Sequence, residues 1–161
     1  FELNGCGSED EDAVVTLHVD EIVPSSLRIV KFYDFANTVN LSWFSHVREI
    51  SLEYCVQVTS LLGLEKVPRV LLHQLSLESL EGLGGNVYVE ISNCESLEDF
   101  SALKYVKEVK IEYCIGFRNA SDVALVKKLS IIGCDRLEDL SDLMDVKELY
   151  LDHCDKVVYC G

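Results

Sequence analysis

The chain has 161 residues, 48% apolar and 26% charged, which is material for one folded domain and excludes a disordered tail or a low-complexity fibre. Twenty-eight acidic residues against fourteen basic ones leave a formal charge of −14, the wrong sign for a partner with a phosphate backbone. No apolar run approaches the roughly 18 residues that span a bilayer as a helix, so neither nucleic-acid binding nor membrane insertion is expected.

In chain order, residues 1–26 are the least regular. Phe1, Leu3 and Cys6 fit the strand half of a repeat, and the stretch Val15 to Asp20 is a second candidate strand. Between them Ser8 to Asp12 is an acidic loop, and Val23-Pro24-Ser25-Ser26 is a turn. The steps from Cys6 to Asp20 and from Asp20 to Phe35 are fourteen and fifteen residues, short of a full coil. This segment therefore reads as irregular first coils or an N-terminal cap.

From residue 27 a period of about twenty takes over and divides the chain into coils 27–46, 47–66, 67–85, 86–105, 106–125, 126–145 and 146–161. Cys94, Cys114, Cys134 and Cys154 fall twenty apart, and Cys55 precedes Cys94 by thirty-nine. Five residues before this column stand Val30, Ile50, Val70, Val89, Val109, Leu129 and Leu149; three before it stand Phe32, Leu52, Leu72, Ile91, Ile111, Ile131 and Leu151. At the chain's apolar content, fourteen such matches arise by chance with a probability of about 3 × 10⁻⁵. Alternation and β-branching make this segment a short strand. Downstream, residues such as Leu97, Phe100 and Leu103 place an apolar side chain at every third position, the spacing of a tight or 3₁₀-like return. A coil of this size buries its apolar side chains only against its neighbours, so the coils must stack, with parallel strands roughly 4.8 Å apart.

The pattern L-x-x-L-x-L-x-x-C-x-x-L resembles a leucine-rich repeat with cysteine where many families carry asparagine. Ile91 to Phe100 (ISNCESLEDF) and Leu129 to Leu140 (LSIIGCDRLEDL) are similar to repeats of plant intracellular immune receptors and of protist leucine-rich-repeat proteins. The resemblance covers residues 27–161. The expected fold is a repeat solenoid of the α/β type, mostly β with short 3₁₀ or turn returns, right-handed, with a concave parallel sheet. Phe35 and Leu75 replace the cysteine in two coils, which makes that column a buried apolar position. Asn86 interrupts the apolar column that opens each coil, beside a one-residue deletion around Leu83-Gly84-Gly85, so a local distortion is expected there. The last coil has no polar cap before Gly161, which implies continuation in a longer chain or end-to-end self-association.

The ladder thiols Cys55, Cys94, Cys114, Cys134 and Cys154 read as reduced core residues, with Cys6 and Cys160 in core register as well. There is no C-x-x-C pair, and His18, His46, His73 and His153 share no ligand set, so no metal or other cofactor is expected. Gly82-Leu83-Gly84-Gly85 lacks the lysine and helix of a phosphate loop, and no catalytic signature occurs. The chain is accordingly not expected to be an enzyme. Asn40-Leu41-Ser42 and Asn119-Ala120-Ser121 are N-glycosylation sequons, both placed outward on the return segment. They point to the secretory route, whereas unpaired thiols fit a reducing compartment.

Five tyrosines, Tyr33, Tyr54, Tyr88, Tyr113 and Tyr150, fall at strand positions that face the open side of the sheet or its edge. Among them lie Lys31, Glu53, Arg69, His73, Lys110, Glu112 and Asp152. Tyrosine provides a large amphipathic contact at low entropic cost. The expected function is therefore non-catalytic recognition of a protein or peptide, preferably basic, on the concave face. The alternative is a structural building block that stacks end to end.

Overall fold

The computed structural model describes residues 2–4, 25–36 and 40–158. The second candidate strand, the acidic loop, His18, Cys6 and Cys160 lie outside the described residues. One sheet of eight strands runs through the molecule in chain order: β1 (Glu2–Asn4), β2 (Ile29–Tyr33), β3 (Glu49–Glu53), β4 (Arg69–His73), β5 (Tyr88–Ser92), β6 (Glu108–Glu112), β7 (Lys128–Ile132) and β8 (Glu148–Asp152). Every neighbouring pair is parallel. Leu3 on β1 lies opposite Phe32 on β2, in the column the sequence assigns to it.

The returns are turns and short 3₁₀ helices at Leu41–Phe44, Ser101–Tyr105, Ala120–Val123 and Ser141–Asp145, with no α-helix among the described residues. The arrangement is compatible with a repeat solenoid. In β2 and β4 through β7 the second and fourth residues of each strand are buried, and the others are exposed or half-buried apart from Ser92. Behind the sheet the every-third-residue columns close the core, with Val58, Leu61, Leu64 and Val67 buried in one coil and Phe117, Ala120, Val123 and Val126 in another. Phe35 and Leu75 are buried in the cysteine column, as an apolar position demands.

Two local devices bring each coil round. The residue after the strand adopts a left-handed backbone in all seven full coils: Asp34, Tyr54, Gln74, Asn93, Tyr113, Gly133 and His153. In six of these its N–H donates to a carbonyl of the next coil, as Tyr54 does to His73 at 3.1 Å and Tyr113 to Ile132 at 2.8 Å, extending the ladder one residue past the strand. At the far side Asn40, Ser60, Ser79, Asp99 and Asp139 accept a hydrogen bond from the N–H two residues on, and so cap five of the returns, whereas Asn119 at the same place makes no such bond.

The distortion expected at Asn86 is present. Gly84 takes a φ of +115°, which a side chain resists, whereas the +102° of Gly82 is shared by Gly63 at the matching place in a full-length coil. Asn86 is buried, yet its Nδ2 donates to the carbonyls of Leu64 (2.8 Å) and Val67 (2.7 Å), and its Oδ1 accepts from the Gly84 N–H. Both amide donors and the amide oxygen of this buried side chain thereby have partners.

Candidate functional site

The outward residues of β2–β8 form three columns across the sheet, at the first, third and fifth strand positions. Apart from the buried Ser51 and Ser92 they are exposed or half-buried, so they escape the burial constraint that fixes the inward columns. Lys31, Glu53, Arg69, His73, Tyr88, Lys110, Glu112, Tyr150, Asp152 and Tyr33 all occupy these columns. Tyr54 and Tyr113 do not. Each is the left-handed residue one step beyond its strand, at the sheet's edge, because the chain must turn there to enter the return.

The structure therefore separates the five tyrosines. Tyr33 and Tyr54 pair edge to face with centroids 5.3 Å apart. Tyr113 lies against Gly133 of the next coil, where a Cβ would collide with its ring. Tyr150 stands at the centre of β8 and is 56% exposed. Tyr88 is half-buried and tied down: the Arg69 guanidinium carbon lies 4.0 Å from its ring centroid, and its hydroxyl donates to Glu90 at 2.6 Å.

Tyr88 belongs to a continuous polar network. Glu49 holds Arg69 at 3.0 Å; Arg69 covers Tyr88; Tyr88 donates to Glu90; and Lys110 bridges Glu90 (3.2 Å) and Glu112 (3.1 Å). Burial alone raises the Glu90 pKa, but the hydrogen bonds from Tyr88 and Lys110 outweigh it and hold the carboxyl below its usual range. Burial, then the bond to Glu90, pushes the Tyr88 hydroxyl upward. Desolvation works against the Lys110 charge, and its two carboxylates overcome that and raise its pKa.

Two features of this face escaped the sequence. Ser92 Oγ lies 2.6 Å from His73 Nδ1, across neighbouring strands and nineteen residues apart. Ser92 is 5% exposed, so the imidazole satisfies a buried hydroxyl. The second is an open groove of about 330 Å³ over β5–β8, between the first and third columns.

The ladder thiols of Cys55, Cys94, Cys114 and Cys134 are buried, Cys154 is half-buried, and all five are unpaired. The thiols of Cys55, Cys114, Cys134 and Cys154 reach carbonyls of the preceding coil at 3.7–4.0 Å and their own strand's end at 3.3–3.6 Å. Desolvation pushes Cys114 up to about 12 and Cys134 to about 11. Groups of three or more His, Cys, Asp or Glu side chains able to hold a metal are absent among the described residues. Asn40 and Asn119 are both exposed on returns; the Asn40 Oδ1 accepts from the Ser42 N–H and hydroxyl.

Among the described residues no helix is long and apolar enough to cross a membrane. Searches of protein-family models, of curated proteins and of solved structures found no match to the chain.

Proposed function

We propose that the chain is a right-handed leucine-rich-repeat solenoid whose concave sheet face recognises a protein or peptide and performs no chemistry on it. The reading is supported above all by the outward columns and the sheet edge beside them: large aromatic side chains stand exposed near charges that their neighbours already hold in place. Tyr33, Tyr54, Tyr113 and Tyr150 are each between 43% and 56% exposed. The network from Glu49 to Glu112 fixes the rotamers around Tyr88 before any partner arrives. Such preorganisation lowers the entropic cost of association, and exposed tyrosine beside fixed charge is the composition of recognition surfaces. The pairing of His73 with Ser92 engages the imidazole with a buried hydroxyl.

The test is selection of binders from a random displayed peptide library. Tyr54→Ala and Tyr150→Ala should each weaken the selected peptides, with the fold intact by circular dichroism. Tyr105→Ala, which removes a tyrosine exposed on a return, should not. Binders indifferent to the face substitutions but lost with Tyr105 would overturn the reading.

A further inference from the structure

The two halves of the outward face differ in charge. On β2–β4 the cations Lys31 and Arg69 balance the carboxylates Glu49 and Glu53. On β5–β8 five carboxylates (Glu90, Glu108, Glu112, Glu148, Asp152) stand against two cations (Lys110, Lys128), a net −3. Both of those cations are already held: Lys110 between Glu90 and Glu112, and Lys128 by Glu148 at 3.0 Å. Glu108 makes no ion pair among the described residues and faces the groove.

Within the same sheet the chain shows what such a surface holds. Arg69 and Tyr88 are register partners on neighbouring strands, the guanidinium lying over the ring beside Glu49. Ser130 and Tyr150 are register partners in the same sense on β7 and β8. There the short serine side chain occupies the place that arginine takes beside Tyr88. The groove lies over it, lined by Ser130, Tyr150, Glu148 and Glu108, and also by Lys110 and Lys128, whose charges are already held by Glu90, Glu112 and Glu148. On β8, Glu148 and Asp152 flank Tyr150 on the same face, two residues to either side.

We infer that the groove over β7 and β8 is a seat for an arginine side chain of the partner, its guanidinium over Ser130 and against the Tyr150 ring, with Glu148 and Glu108 within its field. Arginine suits the seat better than lysine, because a planar, weakly hydrated guanidinium stacks on an aromatic face. A volume of about 330 Å³ is at the lower limit of small-molecule pockets and fits a side chain better than a cofactor. The partner is thus an extended peptide segment carrying arginine, an occupant whose charge complements the net −3 of this half. The inference rests on the recognition reading and specifies its ligand.

The experiment is amide chemical-shift mapping of the whole chain titrated with a short Gly/Ser peptide containing one arginine, and with its lysine and citrulline counterparts. Shifts should centre on β7 and β8, with lysine weaker by about threefold and citrulline by about tenfold or more, the scale of a cation–π contact with carboxylate support. Ser130→Arg fills the seat from within and should abolish the response while the fold, read from the remaining amides, persists. Tyr150→Phe should retain binding, and Tyr150→Ala should weaken it about tenfold. Equal responses to arginine and citrulline, shifts centred on β2–β4, or full binding by Ser130→Arg would each overturn the inference. Library binders that depend on Tyr54 and Tyr150 but show no preference for arginine would sink the seat alone and leave the recognition reading standing.

Discussion

The half of the sheet formed by β2–β4 and the half formed by β5–β8 share a backbone, a register and a set of inward columns, yet present opposite surfaces. In the first, Arg69 is consumed by Glu49 and Tyr88, and the face is neutral. In the second, serine stands where that arginine would be, carboxylates are in excess, and a groove opens. Their cores differ too: Phe32, Phe35 and Phe44 cluster beneath β2, whereas Phe100 and Phe117 meet at 5.0 Å behind β5 and β6. The lesson is that a stacked scaffold fixes what must be hidden and leaves the outward columns to diverge coil by coil. Asn86 sits at the junction of the halves, bonding back to the coil before it.

The largest effect that probes this division is truncation of an aromatic core residue. Phe117→Ala should cost about 3–5 kcal/mol, and Phe44→Ala a similar amount from the other half. Urea unfolding followed by circular dichroism decides whether the halves are coupled. A single transition shifted by either substitution means one cooperative stack, and two transitions mean that the halves melt independently.

Next comes the junction itself. Asn86→Leu fills about the same space but takes the amide from the Val67 carbonyl and the Gly84 N–H, while the Leu64 carbonyl keeps the Val67 N–H, and should destabilise by about 2–3 kcal/mol. It should also split a single transition into two, if the amide is what joins the halves. An unaltered urea midpoint would show that water replaces it without loss.

Titration gives the third effect, in two windows. Glu90 has its folded pKa depressed, so the unfolded state binds the extra proton, and the stability it confers is present above about pH 4 and lost as pH falls through the folded value. Glu90→Gln should flatten the acid limb of a plot of urea midpoint against pH. The thiols act in the opposite direction. With Cys114 raised to about 12 and Cys134 to about 11, their contribution is intact below the unfolded thiol pKa of about 8.5 and disappears as pH climbs towards those values. Among the five ladder thiols, a thiol-specific disulfide reagent at neutral pH should label Cys154 first, and the buried four only on unfolding. Fast labelling of Cys114 in the folded protein would contradict its burial.

The smallest effect is a gain. Gln74 is exposed and holds φ at +53°, so Gln74→Gly should relieve left-handed strain and stabilise the protein by about 1 kcal/mol, measured by its urea midpoint. No gain would mean that the Gln74 side chain offsets that strain.

Much of this architecture was legible in the sequence, and the exceptions are instructive. Val30, Ile50, Val70, Val89, Val109 and Leu129 could be assigned inward because a short period multiplies one weak signal by the number of coils. The same comparison placed Phe35 and Leu75 in the cysteine column, where both are buried. Tyr54 and Tyr113 were misplaced into strands because tyrosine favours strands. The signal that marks their column as a left-handed turn lies in the other coils, in Asp34, Asn93 and Gly133, the residue types that tolerate positive φ. The capping column of Asn40, Ser60, Ser79, Asp99 and Asp139 was also written in the chain, as a recurring short polar residue ahead of each return. By contrast, the Ser92–His73 bond and the Arg69–Tyr88 stack each join residues nineteen apart, across the one short coil. Nothing in either residue's neighbourhood announces its partner.

The amino-acid sequence alone therefore determined the coil length, the inward columns and the parallel strands, since excluding water from each coil's apolar side chains imposes the same demand at every repeat. Which outward side chains meet was decided only in three dimensions. Contacts across the sheet depend on register, and it is the pairing of β4 with β5 that sets Arg69 beside Tyr88. With Ser130 in the corresponding place before Tyr150, the groove stays open.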